Sequence, residues 1–129
     1  MINWLRRIFS QPPRHLVMLH NVALMNFTYT PQPREWLGKG LRPLVVSNPY
    51  KPFIGDCDDY AATLAYQRLE ATYAEIDGGK HAVCICDGWV LDNLKARPYR
   101  REGLIITREF SLYDAVKVKA NGYKLIKKG

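Results

Sequence analysis

The feature that most constrains the fold is an Asp-Gly dipeptide between two apolar runs. Asp87-Gly88 separates HAVCIC from WVLDNL. Asp-Gly is a favoured pair for the two-residue turn of a β-hairpin, because both turn positions need a positive φ. If these two residues form the turn, Cys86 pairs with Trp89. The sequence therefore predicts a hairpin over 81–94 with a fixed register.

That register decides which side chains share a face of the hairpin. Alternation along the strands places four residues on one face, namely His81, Val83, Val90 and Asp92. Asp92 is then the diagonal neighbour of His81, within reach of its imidazole, whereas Asn93 faces the other way. A slip of one residue would reverse this choice, so the prediction of Asp92 depends on the turn.

Helical and strand patterns both occur around the hairpin, which predicts an α+β fold. Helices are predicted over 14–27, from apolar residues at helical spacing, and over 57–74, a segment rich in Ala and Leu without Gly or Pro. Further strands are predicted over 44–46, 104–108, 116–119 and 122–126.

The length and the proline positions predict the domain organisation. A chain of 129 residues is long enough for a single modest core. Pro12-Pro13 separates an N-terminal segment, residues 1–13, from a single domain over 14–129. Apolar residues at helical spacing in the N-terminal segment predict a short amphipathic helix that packs on the domain or on a partner.

The cysteine count and the absence of an export signal favour a cytoplasmic protein. Three cysteines without framework spacing argue against a disulfide scaffold. The N-terminus has no signal-peptide pattern, and the apolar stretch 16–27 is too short and too polar to span a membrane.

The net charge of +7 leaves the partner open. It fits an acidic protein, a nucleic acid or simply a well-solvated surface. Several lysines lie near the C-terminus: Lys117, Lys119, Lys124, Lys127 and Lys128.

Cys57 is the candidate nucleophile. It follows Gly55-Asp56 at the predicted start of the long helix. There, the positive end of the helix dipole and unpaired backbone N–H groups stabilise a thiolate. The same N–H groups are suited to stabilise an oxyanion on a substrate carbonyl. Taken alone, Cys57 is equally well read as a small buried cysteine.

Combined with the hairpin, Cys57 predicts a Cys-His-Asp triad. In this interpretation Cys57 attacks an acyl carbon, and His81 takes the thiol proton and later gives it to the leaving amine. Asp92 fixes the imidazole tautomer and stabilises the imidazolium. These steps require no cofactor.

Three motifs in order also resemble a known family. GDCDDYA at 55–61, HAV at 81–83 and VLDN at 90–93 are similar to the bacterial transglutaminase-like cysteine proteinases. The resemblance implies a papain-like, transglutaminase-like core in which the nucleophile helix packs on a small antiparallel sheet. It implies the same three catalytic residues and a cysteine (thiol) protease that acts on a protein or peptide substrate. Short versions occur in tailed bacteriophages, which this length would fit, and the host cytoplasm would then be the location.

The resemblance extends to metal binding, since some relatives bind calcium through acidic residues beside the cysteine. Asp56, Asp58 and Asp59 occupy those positions and offer oxygen ligands. Helix capping is the simpler role for them. A zinc site built on Cys84 and Cys86 is disfavoured, because alternation turns both away from His81 and the usual Cys spacing is absent.

Two alternative functions remain open from the sequence. The same triad would serve amide transfer or deamidation, because nothing in it selects water over an amine. The chain would otherwise be a non-catalytic module of the same fold whose basic surface binds a nucleic acid or a host protein.

Overall fold

Three helices and nine strands form the part of the chain that this computed structural model describes, residues 11–31 and 40–128. The helices are α1 (Arg14–Asn26), α2 (Cys57–Ala65) and α3 (Ala115–Ala120). The strands, in chain order, are β1 (Phe27–Tyr29), β2 (Arg42–Val46), β3 (Phe53–Gly55), β4 (Thr72–Ile76), β5 (His81–Cys86), β6 (Trp89–Leu91), β7 (Tyr99–Arg100), β8 (Ile106–Phe110) and β9 (Tyr123–Lys127). The predicted α+β class is therefore correct.

A five-stranded sheet in the order β7-β6-β5-β4-β8 forms the centre of the fold, and all of its strand pairs are antiparallel. The predicted hairpin is β5–β6. Asp87 and Gly88 have φ values of 52° and 81°, and Cys86 pairs with Trp89. The turn and its register are confirmed, because a two-residue turn with positive φ at both positions leaves little freedom for a slip.

The two faces of this sheet support different apolar clusters. The cluster on one face contains Cys84 and Cys86 of β5 together with Leu16 of α1 and Leu64 of α2. The other face carries a smaller cluster that consists of Ala74, Ile76, Val83, Ile85 and Val90. Strand alternation explains the division, and it separates Cys84 and Cys86 from Val83 and Val90 as the sequence predicted.

Two short parallel strand pairs flank this core. β1 pairs with β3, and Tyr29 lies opposite Gly55, immediately before the helix that starts at Cys57. β2 pairs with β9, so the C-terminal strand lies beside a strand from the first half of the chain.

Two predicted elements are wrong. The helix predicted over 57–74 ends at Ala65, and β4 begins at Thr72. β4 pairs with both β5 and β8 and buries Tyr73 through Ile76, so sheet packing overrides the local helix propensity. The strand predicted over 116–119 is the helix Ala115–Ala120, which Asp114 caps by accepting a hydrogen bond from the Lys117 N–H.

The other elements are found with shifted ends. α1 ends at Asn26, and the strands predicted over 44–46, 104–108 and 122–126 are β2, β8 and β9. Residues 1–10 of the N-terminal segment, with their predicted helix, lie outside the described residues. Within residues 11–31 and 40–128, no helix is both long enough and apolar enough to cross a membrane.

Candidate active site

Cys57 is the first residue of α2, as the sequence predicted. Asp56 is the N-cap, and its carboxylate accepts hydrogen bonds from the backbone N–H groups of Asp58 and Asp59. Asp59 completes a capping box by accepting the Asp56 N–H at 3.1 Å. These reciprocal bonds fix the helix start and therefore the position of Cys57.

The role of Gly55 is to leave space for a neighbouring side chain and not to provide backbone flexibility. A Cβ on Gly55 would lie 2.5 Å from the Asp59 Cβ and 2.5 Å from the Asp59 Oδ2. The space beside Gly55 is filled by Asp59, whose Oδ1 also accepts the Val45 N–H from β2 at 2.9 Å. Glycine at 55 thus makes room for the capping box that holds the helix start.

His81, the first residue of β5, forms a short hydrogen bond to Asp92. The distance from its Nε2 to the Asp92 Oδ1 is 2.7 Å, and both side chains are largely shielded from solvent. Asp92 directly follows β6, one residue beyond the last paired position of the hairpin. The fixed register thus brings the predicted carboxylate to the predicted imidazole.

Cys57 lies close to the same imidazole. The hydrogen bond to Asp92 and then a hydrogen-bonding interaction with Cys57 raise the pKa of His81 to about 10, against the opposing effect of burial. The thiol of Cys57 donates to the Asp58 Oδ1 at 3.8 Å, and Asp92 engages the His81 Nε2, which leaves Nδ1 as the ring nitrogen for proton exchange with the sulfur. At neutral pH the imidazole therefore carries a positive charge next to Cys57.

Asp92 has two further donors that the sequence analysis did not identify. The Leu94 N–H donates to its Oδ1 at 2.9 Å, and the Tyr99 hydroxyl donates to its Oδ2 at 2.9 Å. Burial opposes ionisation, but the hydrogen bonds from His81, Leu94 and Tyr99 outweigh it and lower the pKa of Asp92. Tyr99 lies on β7, which reaches Asp92 only through sheet pairing with β6, so no local pattern would have revealed it.

The three acidic residues proposed as calcium ligands are all buried and all have protein partners. Asp56 and Asp59 cap α2, as described above. Asp58 accepts from the Tyr73 hydroxyl at 3.0 Å and pairs with Arg42 at 2.7 Å. Their oxygens thus serve the helix start and an ion pair, which favours capping, and calcium binding stays a hypothesis.

Burial and crowding change the acidity of Asp56 and Asp58. Burial and the neighbouring charges of Asp58 and Asp59 raise the pKa of Asp56 to about 7. Burial also raises the pKa of Asp58, although Arg42 and the Tyr73 hydroxyl oppose the shift. The start of α2 therefore carries less negative charge at neutral pH than its sequence indicates.

The other two cysteines lie in the core. Burial raises the pKa of the Cys84 thiol and raises that of Cys86 to about 11, so both stay protonated at neutral pH. Within the described part of the chain, the group of residues close enough to share a metal is Glu70, Cys86 and Asp87, and it includes neither Cys57 nor His81.

A comparison of the chain with models of known protein families and with curated proteins gives no match in either. The interpretation of the site consequently depends on its own geometry.

Proposed function

We propose that this chain is a cysteine-nucleophile hydrolase of peptide or amide bonds, with a papain-like, transglutaminase-like core. Cys57 is the nucleophile, His81 the general base and acid, and Asp92 the residue that orients His81. The observation that carries the proposal is the 2.7 Å bond from His81 Nε2 to Asp92, together with the proximity of Cys57 to the same ring.

The starting state in this mechanism is a Cys57 thiolate beside an imidazolium. The thiolate sulfur attacks the substrate carbonyl carbon, a C–S bond forms, and the carbonyl π electrons move to oxygen. His81 gives its proton to the leaving amine as the C–N bond breaks, which leaves a thioester on Cys57. Neutral His81 then takes a proton from water, the hydroxide attacks the thioester, and the acid product leaves with the thiolate restored.

The start of α2 supports this chemistry in two ways. A backbone N–H at the first helical position has no intrahelical acceptor, so the Cys57 N–H is available to a substrate oxygen. The capping box through Asp56 and Asp59 keeps that N–H and the sulfur in fixed positions. A rigid donor is more effective than a mobile one because it needs no reorganisation during the reaction.

Amide transfer or deamidation is a variant of the same proposal. The acyl-enzyme on Cys57 would then react with an amine, or the substrate would be a glutamine-type side-chain amide. Product analysis with and without an added primary amine separates these outcomes. A new amide product would assign the chain to the transferases, and a carboxylic acid alone would assign it to the hydrolases.

A non-catalytic binding function has one observation in its favour. The five C-terminal lysines named above are all exposed, on α3, on β9 and just after it. Such a surface attracts polyanions through counterion release. Salt-dependent binding to a nucleic acid, unaffected by Cys57→Ala, would support this function.

The reactivity of the three cysteines tests the enzyme proposal directly. The full chain is treated with a limiting amount of iodoacetamide between pH 5 and 9, and each alkylated cysteine is quantified by peptide mass spectrometry. We expect Cys57 to react well below pH 8.5, where an ordinary cysteine reacts slowly. Cys84 and Cys86, buried in the same chain, are internal controls. Absence of selective labelling at Cys57 would contradict the proposal.

The substrate is sought by comparing wild type with Cys57→Ala. Both proteins are expressed in a bacterial host, and new protein termini are measured by mass spectrometry. Termini that appear only with the wild type identify the substrate. The variant keeps the helix start, because Cys57 takes no part in the capping box.

A further inference from the structure

Strand β1 contacts the helix that carries Cys57 through its first residue. Its first residue, Phe27, packs against Phe53 of β3 and against Tyr60 of α2, with ring centroids 5.2 Å and 5.0 Å apart. The side chain of Phe27 therefore points to α2. In a strand, residue i+2 lies on the same face as residue i, so Tyr29 shares this direction.

The parallel register carries Tyr29 towards the start of α2. Two residues along β1 amount to about 6.6 Å, in the direction in which β3 leads into Cys57. Tyr60, which contacts Phe27, lies three residues after Cys57, on the same face of the helix and about 4.5 Å further along its axis. The register pairs Tyr29 with Gly55, two residues before Cys57.

The hydroxyl of Tyr29 is available to a substrate. The residue is 57% exposed, and within residues 11–31 and 40–128 its hydroxyl forms no hydrogen bond. A main-chain bond from the Thr30 N–H to the Gly55 carbonyl, at 2.7 Å, holds the end of β1 against the segment before Cys57. The backbone of Tyr29 is therefore held against the segment before Cys57, while its side chain is mostly exposed.

We infer that Tyr29 is a further catalytic residue, whose phenol O–H donates a hydrogen bond to the substrate oxygen as Cys57 attacks. The Tyr29 hydroxyl and the Cys57 N–H would then be the two hydrogen-bond donors of the oxyanion site. This inference rests on the proposed function, because an oxyanion forms only if Cys57 attacks an acyl group.

The electrostatic surroundings keep Tyr29 in the form that can donate. Partial burial and then the charges of Cys57, Asp56 and Asp58 raise the pKa of Tyr29 above its usual range. The phenol thus retains its proton at neutral pH. The influence of Cys57 on this group agrees with the register that pairs Tyr29 with Gly55, two residues before Cys57.

Two reactions of one thiol separate oxyanion stabilisation from nucleophile activation. With p-nitrophenyl acetate, the Cys57 sulfur bonds to the carbonyl carbon, an oxyanion forms, and its collapse expels p-nitrophenolate and leaves acetyl-Cys57. With iodoacetamide, the sulfur displaces iodide at a saturated carbon, and no oxyanion forms. A donor to the oxyanion accelerates the first reaction only.

The experiment measures both rates in the full chain for wild type and Tyr29→Phe, after subtraction of the rates for Cys57→Ala. We expect Tyr29→Phe to slow acylation roughly 10- to 100-fold, up to the range known for loss of one oxyanion donor. Alkylation of Cys57 should stay within about twofold of wild type. The matched control is Tyr50→Phe, which removes a hydroxyl from another exposed tyrosine and should change neither rate.

The outcomes distinguish this inference from the proposed function. Loss of acylation with intact alkylation supports the role of Tyr29. Equal loss of both rates would make Tyr29 a residue that acts on the thiolate, and unchanged acylation would give it no catalytic role; either result overturns the inference while Cys57 stays the nucleophile. If wild-type Cys57 is not selectively alkylated, the proposed function itself fails. Circular dichroism checks that each variant is folded.

Discussion

Among single residues, Asp92 acts most directly on His81, the imidazole beside the candidate nucleophile Cys57. It accepts hydrogen bonds from His81, from the Leu94 N–H and from the Tyr99 hydroxyl. Three donors around one carboxylate fix its direction and stabilise its charge. Its effect on His81 then appears as a dependence of protein stability on pH.

Replacing Asp92 should remove part of that dependence. Folding raises the pKa of His81 from about 6.5 to about 10, so the bound proton stabilises the folded state. This stabilisation is complete below pH 6.5 and disappears as the pH approaches 10. We expect Asp92→Asn to lower the free energy of unfolding by about 1–3 kcal/mol at pH 6.5 and by less at pH 10.

Urea denaturation at the two pH values measures this effect. The control is Glu102→Gln, which removes an exposed carboxylate that pairs with Arg100 and should change stability little at either pH. An Asp92→Asn effect of the same size at pH 6.5 and pH 10 would contradict the coupling to His81.

A second prediction for a single residue concerns Gly55. In Gly55→Ala, the new Cβ meets Asp59 at 2.5 Å, so Asp59 must move away from the Val45 and Asp56 N–H groups. We expect a loss of about 2–3 kcal/mol, from steric strain and unpaired buried donors.

A double-mutant cycle with Asp59→Ala tests this explanation. Because the smaller side chain removes the clash, Gly55→Ala should cost less in the Asp59→Ala background than in wild type. Strict additivity, measured by chemical denaturation, would show that Gly55 does not act through Asp59.

Among the elements, α2 depends on its N-cap more than its composition indicates. The helix has 9 residues, fewer than an isolated helix needs in water, so capping and packing must hold it. Asp56 provides the cap, yet its crowded carboxylate is difficult to ionise. The two properties of Asp56 can be separated by substitution.

Asp56→Ala and Asp56→Asn should have different effects on the free energy of unfolding near neutral pH. Ala removes the acceptor of two N–H bonds and should cost about 1–2 kcal/mol. Folding raises the pKa of Asp56 to about 7, so in wild type its stabilising proton is lost as the pH rises from about 4 to 7. Asn keeps the acceptor without the charge, so above pH 7 the Asn variant should equal or exceed wild type in stability.

Thermal and urea unfolding at pH 5 and pH 8 provide the comparison. Asp114→Ala, which removes the cap of helix α3, is the matched control for the loss of a helix cap. If Asp56→Asn loses as much stability as Asp56→Ala at pH 8, the repulsion among the carboxylates is unimportant.

In the whole molecule, the C-terminal strand belongs to the core although its sequence is basic. β9 pairs with β2 along all five of its residues, and Tyr123 is buried against Tyr73 and Phe110. Its hydroxyl donates to the buried Glu75, which also pairs with Arg108. The strand therefore connects β2 to the central sheet, and through the Val45–Asp59 bond it supports the start of α2.

Truncation after Asn121 should consequently disrupt the fold and not merely remove a tail. Loss of Tyr123 alone removes a buried aromatic side chain, which costs about 3–5 kcal/mol, and β2 also loses its pairing partner. We expect a strong loss of near-ultraviolet circular dichroism and of cooperative thermal unfolding. The control truncation removes Lys128 and Gly129 and should leave both nearly unchanged. A cooperative fold without β9 would contradict this description.

Local patterns predicted the features that short-range chemistry controls. The Asp-Gly turn fixed the hairpin register, and with it the choice of Asp92 over Asn93, because turn geometry depends on two adjacent residues. The acidic residues around Cys57 indicated a helix start, because capping also acts within one turn. The α+β class followed from the change of hydrophobic period along the chain.

Tertiary structure decided the features that depend on distant partners. The segment 66–74 has helix-forming composition, but the pairing of β4 with β5 and β8 and the burial of its own side chains make 72–76 a strand. Tyr29 and Tyr99 come to the site from strands whose sequences contain no catalytic motif. Such contacts follow from which strands pair and which faces pack, and a burial energy summed over many side chains outweighs any local preference.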